Sequence, residues 1–93
     1  MSVKVRFSSV LLAVTKDEKE AYVDATSVEQ LIEELIAKYG DEFKARLIDQ
    51  KTGKIRRFVN IFVNGKDVRL TRGLKTQLKD EDEVSILPAV SGG

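Results

Sequence analysis

The sequence predicts an α+β domain: a small mixed sheet packed on one main helix, with a flexible C-terminal diglycine tail. Three observations carry that expectation. Apolar residues recur with helical period between Val28 and Tyr39. Short runs near both ends of the chain alternate apolar and polar residues, the period of a half-buried strand. The chain then closes on Leu87-Pro88-Ala89-Val90-Ser91-Gly92-Gly93, a small-residue stretch after a proline.

Val3-Lys4-Val5-Arg6-Phe7 is the first strand, with Val3, Val5 and Phe7 facing the core. Residues 8–14 are apolar without clear alternation, which fits a loop or a short helical turn, and Thr15-Lys16-Asp17-Glu18-Lys19 reads as a turn. Residues 20–24 make a second strand, antiparallel to the first because so short a connection permits only a hairpin-like return. Thr26-Ser27-Val28-Glu29 has the form of a capping box, with Thr26 as the cap. Behind it Val28, Leu31, Ile32, Leu35, Ile36 and Tyr39 lie on one helical face, and Gly40 stands where a glycine ends a helix.

Beyond Gly40, residues 41–48 are a short second helix or a loop anchored by Phe43, Leu47 and Ile48. Lys51, Lys54, Arg56 and Arg57 form a basic cluster, read as a solvated loop or a contact with a partner. Phe58-Val59-Asn60-Ile61-Phe62-Val63 is the most strand-like stretch, and Asn64-Gly65 after it is a hairpin signal. Val59, Ile61 and Val63 should meet the helix, leaving Phe58, Asn60 and Phe62 on the other face. Either those aromatics form a contact surface, or the segment holding Phe43 and Leu47 folds over them. Residues 66–69 return as a short strand, and Leu70, Leu74 and Leu78 punctuate a polar connection. Asp80-Glu81-Asp82-Glu83 is an acidic turn, either solvated or a charged contact for an activating enzyme. Val84-Ser85-Ile86-Leu87 is the last strand, stopped by Pro88. The division is therefore a domain over residues 1–87 and an extended tail over 88–93.

Composition removes most enzymatic readings. The chain has no His and no Cys, so the usual general base, thiolate nucleophile and zinc ligands are missing and no metal site is expected. No glycine-rich phosphate loop or nucleophile elbow appears. Sixteen basic residues against 15 acidic ones leave a formal charge of +1, which argues against a nucleic-acid binder. The absence of cysteine, of a signal peptide and of a long apolar span fits a cytoplasmic protein without a membrane partner.

The tail is what remains to carry chemistry. At a glycine frequency of about 7%, chance places two glycines at a terminus in roughly one chain in two hundred. Two residues without a Cβ fit a slot too narrow for any other side chain, and nothing shields the Gly93 carboxylate. Extended, residues 88–93 reach roughly 20 Å at about 3.3–3.6 Å per residue.

The element order is strand, strand, helix, strand, short strand, strand. A right-handed crossover through the helix brings a later strand parallel to an earlier one, which is the β-grasp (ubiquitin-like) arrangement. The residues resemble the MoaD/ThiS family of ubiquitin-like sulfur carriers, most closely the MoaD branch, the small subunit of molybdopterin synthase. The resemblance rests on Val63-Asn64-Gly65-Lys66-Asp67-Val68-Arg69, Gly73-Leu74, Leu78, Asp82-Glu83-Val84 and the end from Pro88 to Gly93. Residues between Gly40 and Phe58 that ThiS chains usually lack favour the MoaD branch. Ala89 stands where the family often has a second proline, and Val10-Leu11-Leu12 where it has an Arg-Leu-rich segment.

The resemblance implies a non-catalytic, sulfur-donating subunit. An E1-like enzyme would use Mg and ATP to adenylate Gly93, and sulfur from an external persulfide donor would displace AMP to leave a thiocarboxylate. No cofactor would be bound by the chain itself. Pro88, Ala89, Val90, Ser91 and Gly92 would thread the tail into the large, MoaE-like subunit of molybdopterin synthase, where the sulfur enters molybdopterin. Phe58, Asn60 and Phe62 would dock the partner. The alternatives are conjugation of Gly93 to lysines, as a ubiquitin-like modifier, and sulfur donation for tRNA thiolation or thiazole synthesis.

Overall fold

A computed structural model of the chain describes residues 2–88. Strands β1 (Val3–Phe7), β2 (Glu20–Val23), β3 (Val59–Val63), β4 (Lys66–Asp67) and β5 (Glu83–Pro88) form one sheet in the order β2-β1-β5-β3-β4. β1 and β5 run parallel at its centre, and every other pair is antiparallel. This is the mixed sheet the element order calls for, with the parallel pair made possible by the crossover through helix α1 (Val28–Tyr39).

Alternation does the sorting. Val3, Val5, Val59, Ile61, Val84 and Ile86 point to one side of the sheet and are fully or almost fully buried. Val28, Leu31, Ile32 and Leu35 of α1 close over them. The intervening segment 8–14 is a 3-10 helix over Ser9–Val14, which buries Leu11 and Val14.

The start of α1 differs from the expected capping box by one residue. Ser27, not Thr26, is the cap, its hydroxyl accepting from the Gln30 amide at 3.1 Å. Gln30, not Glu29, reaches back, its Oε1 accepting from the Thr26 amide at 2.7 Å. The shift has a tertiary cause. Thr26 and Ser27 are held extended against residues 76–78, the Leu78 amide donating to the Thr26 carbonyl and Ser27 bridging Gln77. With the Thr26 carbonyl taken by Leu78, the first helical bond falls to Ser27, whose carbonyl accepts from the Leu31 amide at 3.0 Å.

Gly40 ends α1 and begins α2 (Asp41–Leu47), its amide donating to the Ile36 carbonyl at 2.7 Å. Its φ of +93° with ψ of −167° lies in a region essentially reserved for glycine. Gly40→Ala finds open space for its methyl but not an allowed backbone. The substitution should cost about 1–3 kcal/mol, read as a lower midpoint in urea unfolding with an unchanged slope.

α2 settles the choice left open for the segment after Gly40: it is a helix. Phe43 and Leu47 are fully buried. Phe43 packs edge-on against Phe7, with centroids 5.9 Å apart, and tilted against Tyr39 at 5.3 Å. The Tyr39 hydroxyl donates to Glu18 at 2.6 Å, and Lys38 lies 3.4 Å from the same carboxylate. Burial and that hydrogen bond hold the Tyr39 phenol above its usual range, and the Tyr39 hydroxyl holds Glu18 below its own. These groups clasp the 3-10 segment to the end of α1.

Bonding within the fold shapes two further stretches. The return strand stops after two residues, because Asp67 Oδ1 accepts from the Arg69 amide and turns Val68–Leu70 into a 3-10 helix that buries Val68. The acidic turn is exposed at Asp80 and Glu81, as the solvated reading expects, while three of its carboxylates also accept bonds within the fold. Asp80 accepts from the Ser2 amide, Asp82 from Asn64 Nδ2 and the Lys79 amide, and Glu83 from Arg6 at 3.1 Å. Among the three leucines of the connection, Leu78 is buried, Leu74 half-buried and Leu70 80% exposed.

Candidate functional site

The site is the face of the sheet turned away from α1, together with the end of β5. Register fixes its layout. Lys4 lies between Tyr22 and Glu83, Arg6 between Glu20 and Ser85, Ser85 beside Phe62, and Leu87 beside Asn60. The β2-β1 side is charged and internally paired, with Lys4 at 3.3 Å from Glu20 and Arg6 at 3.1 Å from Glu83. The β5-β3 side carries two apolar side chains, half-buried Phe62 and Leu87, which is 39% exposed, beside uncharged Asn60 and Ser85.

The residues read from the sequence as a docking set are thus brought close together but not into one plane. Asn60 and Phe62 share the face. Phe58 stands one residue before β3, 47% exposed, in a shallow depression with Asp49, Arg56 and Arg57. Phe43 and Leu47 do not cover them, since both are spent in the core beneath Phe7 and Tyr39. Leu87 was not among the expected contact residues, although the alternation of inward Val84 and Ile86 already turns it outward. Tyr22, 67% exposed on the charged side, is a second addition found the same way.

Arg69 is the other residue the sequence reading passed over as a docking determinant. Its Nη1 donates to Asn60 Oδ1 at 2.9 Å, and its Nη2 to the carbonyls of Arg57 (2.8 Å) and Val59. Asn60 in turn donates from Nδ2 to the Leu87 carbonyl at 3.4 Å. With β4 only two residues long, the guanidinium takes the place of the missing ladder at the exposed edge of β3, and satisfies carbonyls that would otherwise be open to pairing. A fork of fixed geometry suits this, and a lysine ammonium does not reproduce it. Arg69→Lys should lower stability by about 1–2 kcal/mol, seen in urea unfolding, and should release the Asn60 side-chain amide to faster hydrogen exchange.

β5 is the central feature. It lies between β1 and β3, with its last residue, Pro88, paired to Val59. The ladder therefore extends through the first residue assigned to the tail. Ala89, Val90, Ser91, Gly92 and Gly93 lie outside the described residues. Basic Arg56, expected as part of a solvated cluster or a partner contact, is tied down by its Nε donating to the Ala45 carbonyl at 2.8 Å. Among the described residues no group of three or more His, Cys, Asp or Glu is placed to hold a metal ion, and no helix is long and apolar enough to cross a membrane.

Known proteins share both sequence and fold. The sequence model of the ThiS family matches residues 5–93. Sulfur carrier protein CysO of Mycobacterium tuberculosis is 40% identical over 94 residues, covering 100% of each chain. Small archaeal modifier protein 3 of Haloferax volcanii is 33% identical over 96 residues, again covering 100% of each. In the crystal structure of the Amycolatopsis orientalis BexX/CysO complex, a matching chain is 36% identical with a TM-score of 0.86, over 98% of this chain and 99% of that one. With the β-grasp topology and a family match from β1 to the final glycine, the chain belongs to the ThiS family, the ubiquitin-like sulfur carriers.

Proposed function

We propose that this chain carries sulfur as a thiocarboxylate on Gly93. The observation that bears most weight is the placement of β5. The tail departs from the best-held strand of the sheet, beside an apolar patch of Phe62 and Leu87. A partner seated on that patch has the start of the tail beside it, with the carboxylate five residues further on, so docking and delivery of the reacting group are coupled.

A carboxylate is a poor electrophile, so activation comes first. Within an E1-like partner holding Mg and ATP, a Gly93 carboxylate oxygen attacks the α-phosphorus, pyrophosphate leaves, and an acyl adenylate forms. The terminal sulfur of an external persulfide then bonds to the acyl carbon as AMP departs. A thiol cleaves the remaining S–S bond, becoming a disulfide and leaving the thiocarboxylate on Gly93. The chain has no cysteine, so the sulfur transferred in these steps comes from outside. Pro88, Ala89, Val90, Ser91 and Gly92 thread the channel, and Asn60 and Phe62, with Phe58 at the rim, dock the partner.

The acceptor belongs to the same proposal: molybdopterin, with the chain as small subunit beside a MoaE-like large subunit. The segment between Gly40 and Phe58, which contains α2, fits this branch and equally fits the full-length match to sulfur carrier protein CysO. A second reading, ligation of Gly93 to lysines, is favoured by the 33% identity to small archaeal modifier protein 3. Both acceptors share the adenylate. ATP–pyrophosphate exchange with the E1-like enzyme of the same host tests the shared step. Exchange should depend on the chain and vanish when Gly93 is removed; exchange that persists without Gly93 would refute activation at this residue.

A further inference from the structure

The face of β3 opposite the docking patch opens into a second feature, a groove of about 460 Å³ between the loop before β3 and the connection after β4. That volume lies within the range of sites that hold small apolar groups. Val59, Ile61 and Val68 close its bottom, and half-buried Ile55 and Leu74 form its walls. Lys54, Arg72 and Lys75 stand around it, all exposed. No carboxylate lines the groove, and among the described residues none is within ion-pair distance of these three side chains.

Arg69, the fourth cation of the lining, is different: its guanidinium is committed to Asn60 and to backbone carbonyls, 3.9 Å from the Asp67 carboxylate. Around an apolar groove three cations are left uncompensated in a chain whose formal charge is only +1.

We propose that this groove is a second docking site, for a segment of another protein that presents one or two aliphatic side chains flanked by carboxylates. The aliphatic groups fill the space between Ile55 and Leu74, and the carboxylates meet Lys54, Arg72 and Lys75. No aromatic side chain lines the groove, so a nucleobase finds nothing to stack on, and the apolar bottom gives a bare phosphate no complement. Because Val59 and Ile61 point here while Asn60 and Phe62 point to the other face, the two sites lie back to back on β3 and can be filled together. On the sulfur-carrier reading, a partner in the groove retains the chain while another takes its tail. The binding itself does not rest on that reading.

The test is titration of an end-capped hexapeptide, a Leu-Ile pair with two glutamates on each side, into the isotope-labelled full chain followed by amide shifts. Shifts should saturate at Ile55, Ile61, Leu74 and Lys75 and leave Phe62 and Leu87 unmoved. Affinity should fall about tenfold or more in the Arg72→Glu/Lys75→Glu variant, for a peptide with glutamines in place of glutamates, and at high salt. Both substituted residues are exposed, and among the described residues neither side chain makes a hydrogen bond or ion pair, so the variant should keep the dispersed spectrum of a folded chain. Absence of saturation at millimolar peptide, shifts centred on Phe62, or equal affinity for a lysine-flanked peptide would overturn the proposal. So would groove shifts in the peptide-free chain on removing residues 89–93, which would make the groove the seat of its own tail. None of these readings depends on activation of Gly93, so failure here and failure of the carrier function are separately visible.

Discussion

Removal of Gly92 and Gly93 is expected to abolish thiocarboxylate formation and conjugation alike, while leaving the thermal midpoint within about 2–4 °C of the full chain. The physical reason lies in where the fold stops. Among the described residues the buried core runs from Val3 to Ile86 and the β5 ladder reaches Pro88, so removing Gly92 and Gly93 takes away none of the groups that make this core. Surface changes away from the core and its hydrogen bonds ordinarily alter stability by less than about 0.5 kcal/mol. Gly93→Ala separates two requirements. It keeps a carboxylate and adds one methyl, so a loss with this variant places the constraint in the narrowness of the partner's channel. Mass spectrometry of the chain after incubation with activating enzyme, ATP and a persulfide donor reads the product, and calorimetry reads the fold.

Phe62→Asp should break docking with comparable force. Central aromatic anchors commonly contribute about 2–4 kcal/mol to an interface, roughly thirtyfold to nearly a thousandfold in affinity. The position also carries a hazard that the register exposes. Phe62 is paired with Asp67 across β4, so a new carboxylate meets a like charge and weakens the hairpin. Phe62→Lys places the opposite charge against Asp67 and serves as the companion variant. Both should bind the activating enzyme poorly, and the lysine variant should retain a near-normal urea midpoint. If the lysine variant binds normally, the docking face lies elsewhere. If both variants unfold, Phe62 belongs to the domain's own packing.

The fold was largely legible because its signals are local. Period-two alternation placed the strands, the run from Val28 to Tyr39 placed the helix, and Asn64-Gly65 placed the hairpin, with φ of +50° and +86° at its two central residues. What escaped was set by distant partners. The α1 cap moved from Thr26 to Ser27 because Thr26 is engaged with Leu78. The bonds made by the acidic turn went unread because the groups that hold Asp80 and Asp82, the Ser2 amide and Asn64, are remote in sequence. Arg69 carried no mark in the one-dimensional pattern, since its role depends on β4 ending early and leaving the edge of β3 open. The docking face was half legible. Alternation gave Asn60 and Phe62, and the same rule applied to β5 gives Leu87. The back-to-back groove needed the loop before β3 and the connection after β4 to meet, which no spacing announces.

The central claim is that the terminal carboxylate is the chemical site and the β-grasp domain its handle. Intact mass spectrometry of the protein purified from its native host tests it most directly. The account predicts a fraction of the chain heavier by the sulfur-for-oxygen difference, with fragmentation placing the change on Gly93 and alkylation of the thiocarboxylate removing it. A chain carrying only an ordinary carboxylate under sulfur-replete growth, with its Gly-Gly remnant found on lysines of other proteins, would contradict the carrier role and leave the modifier in its place.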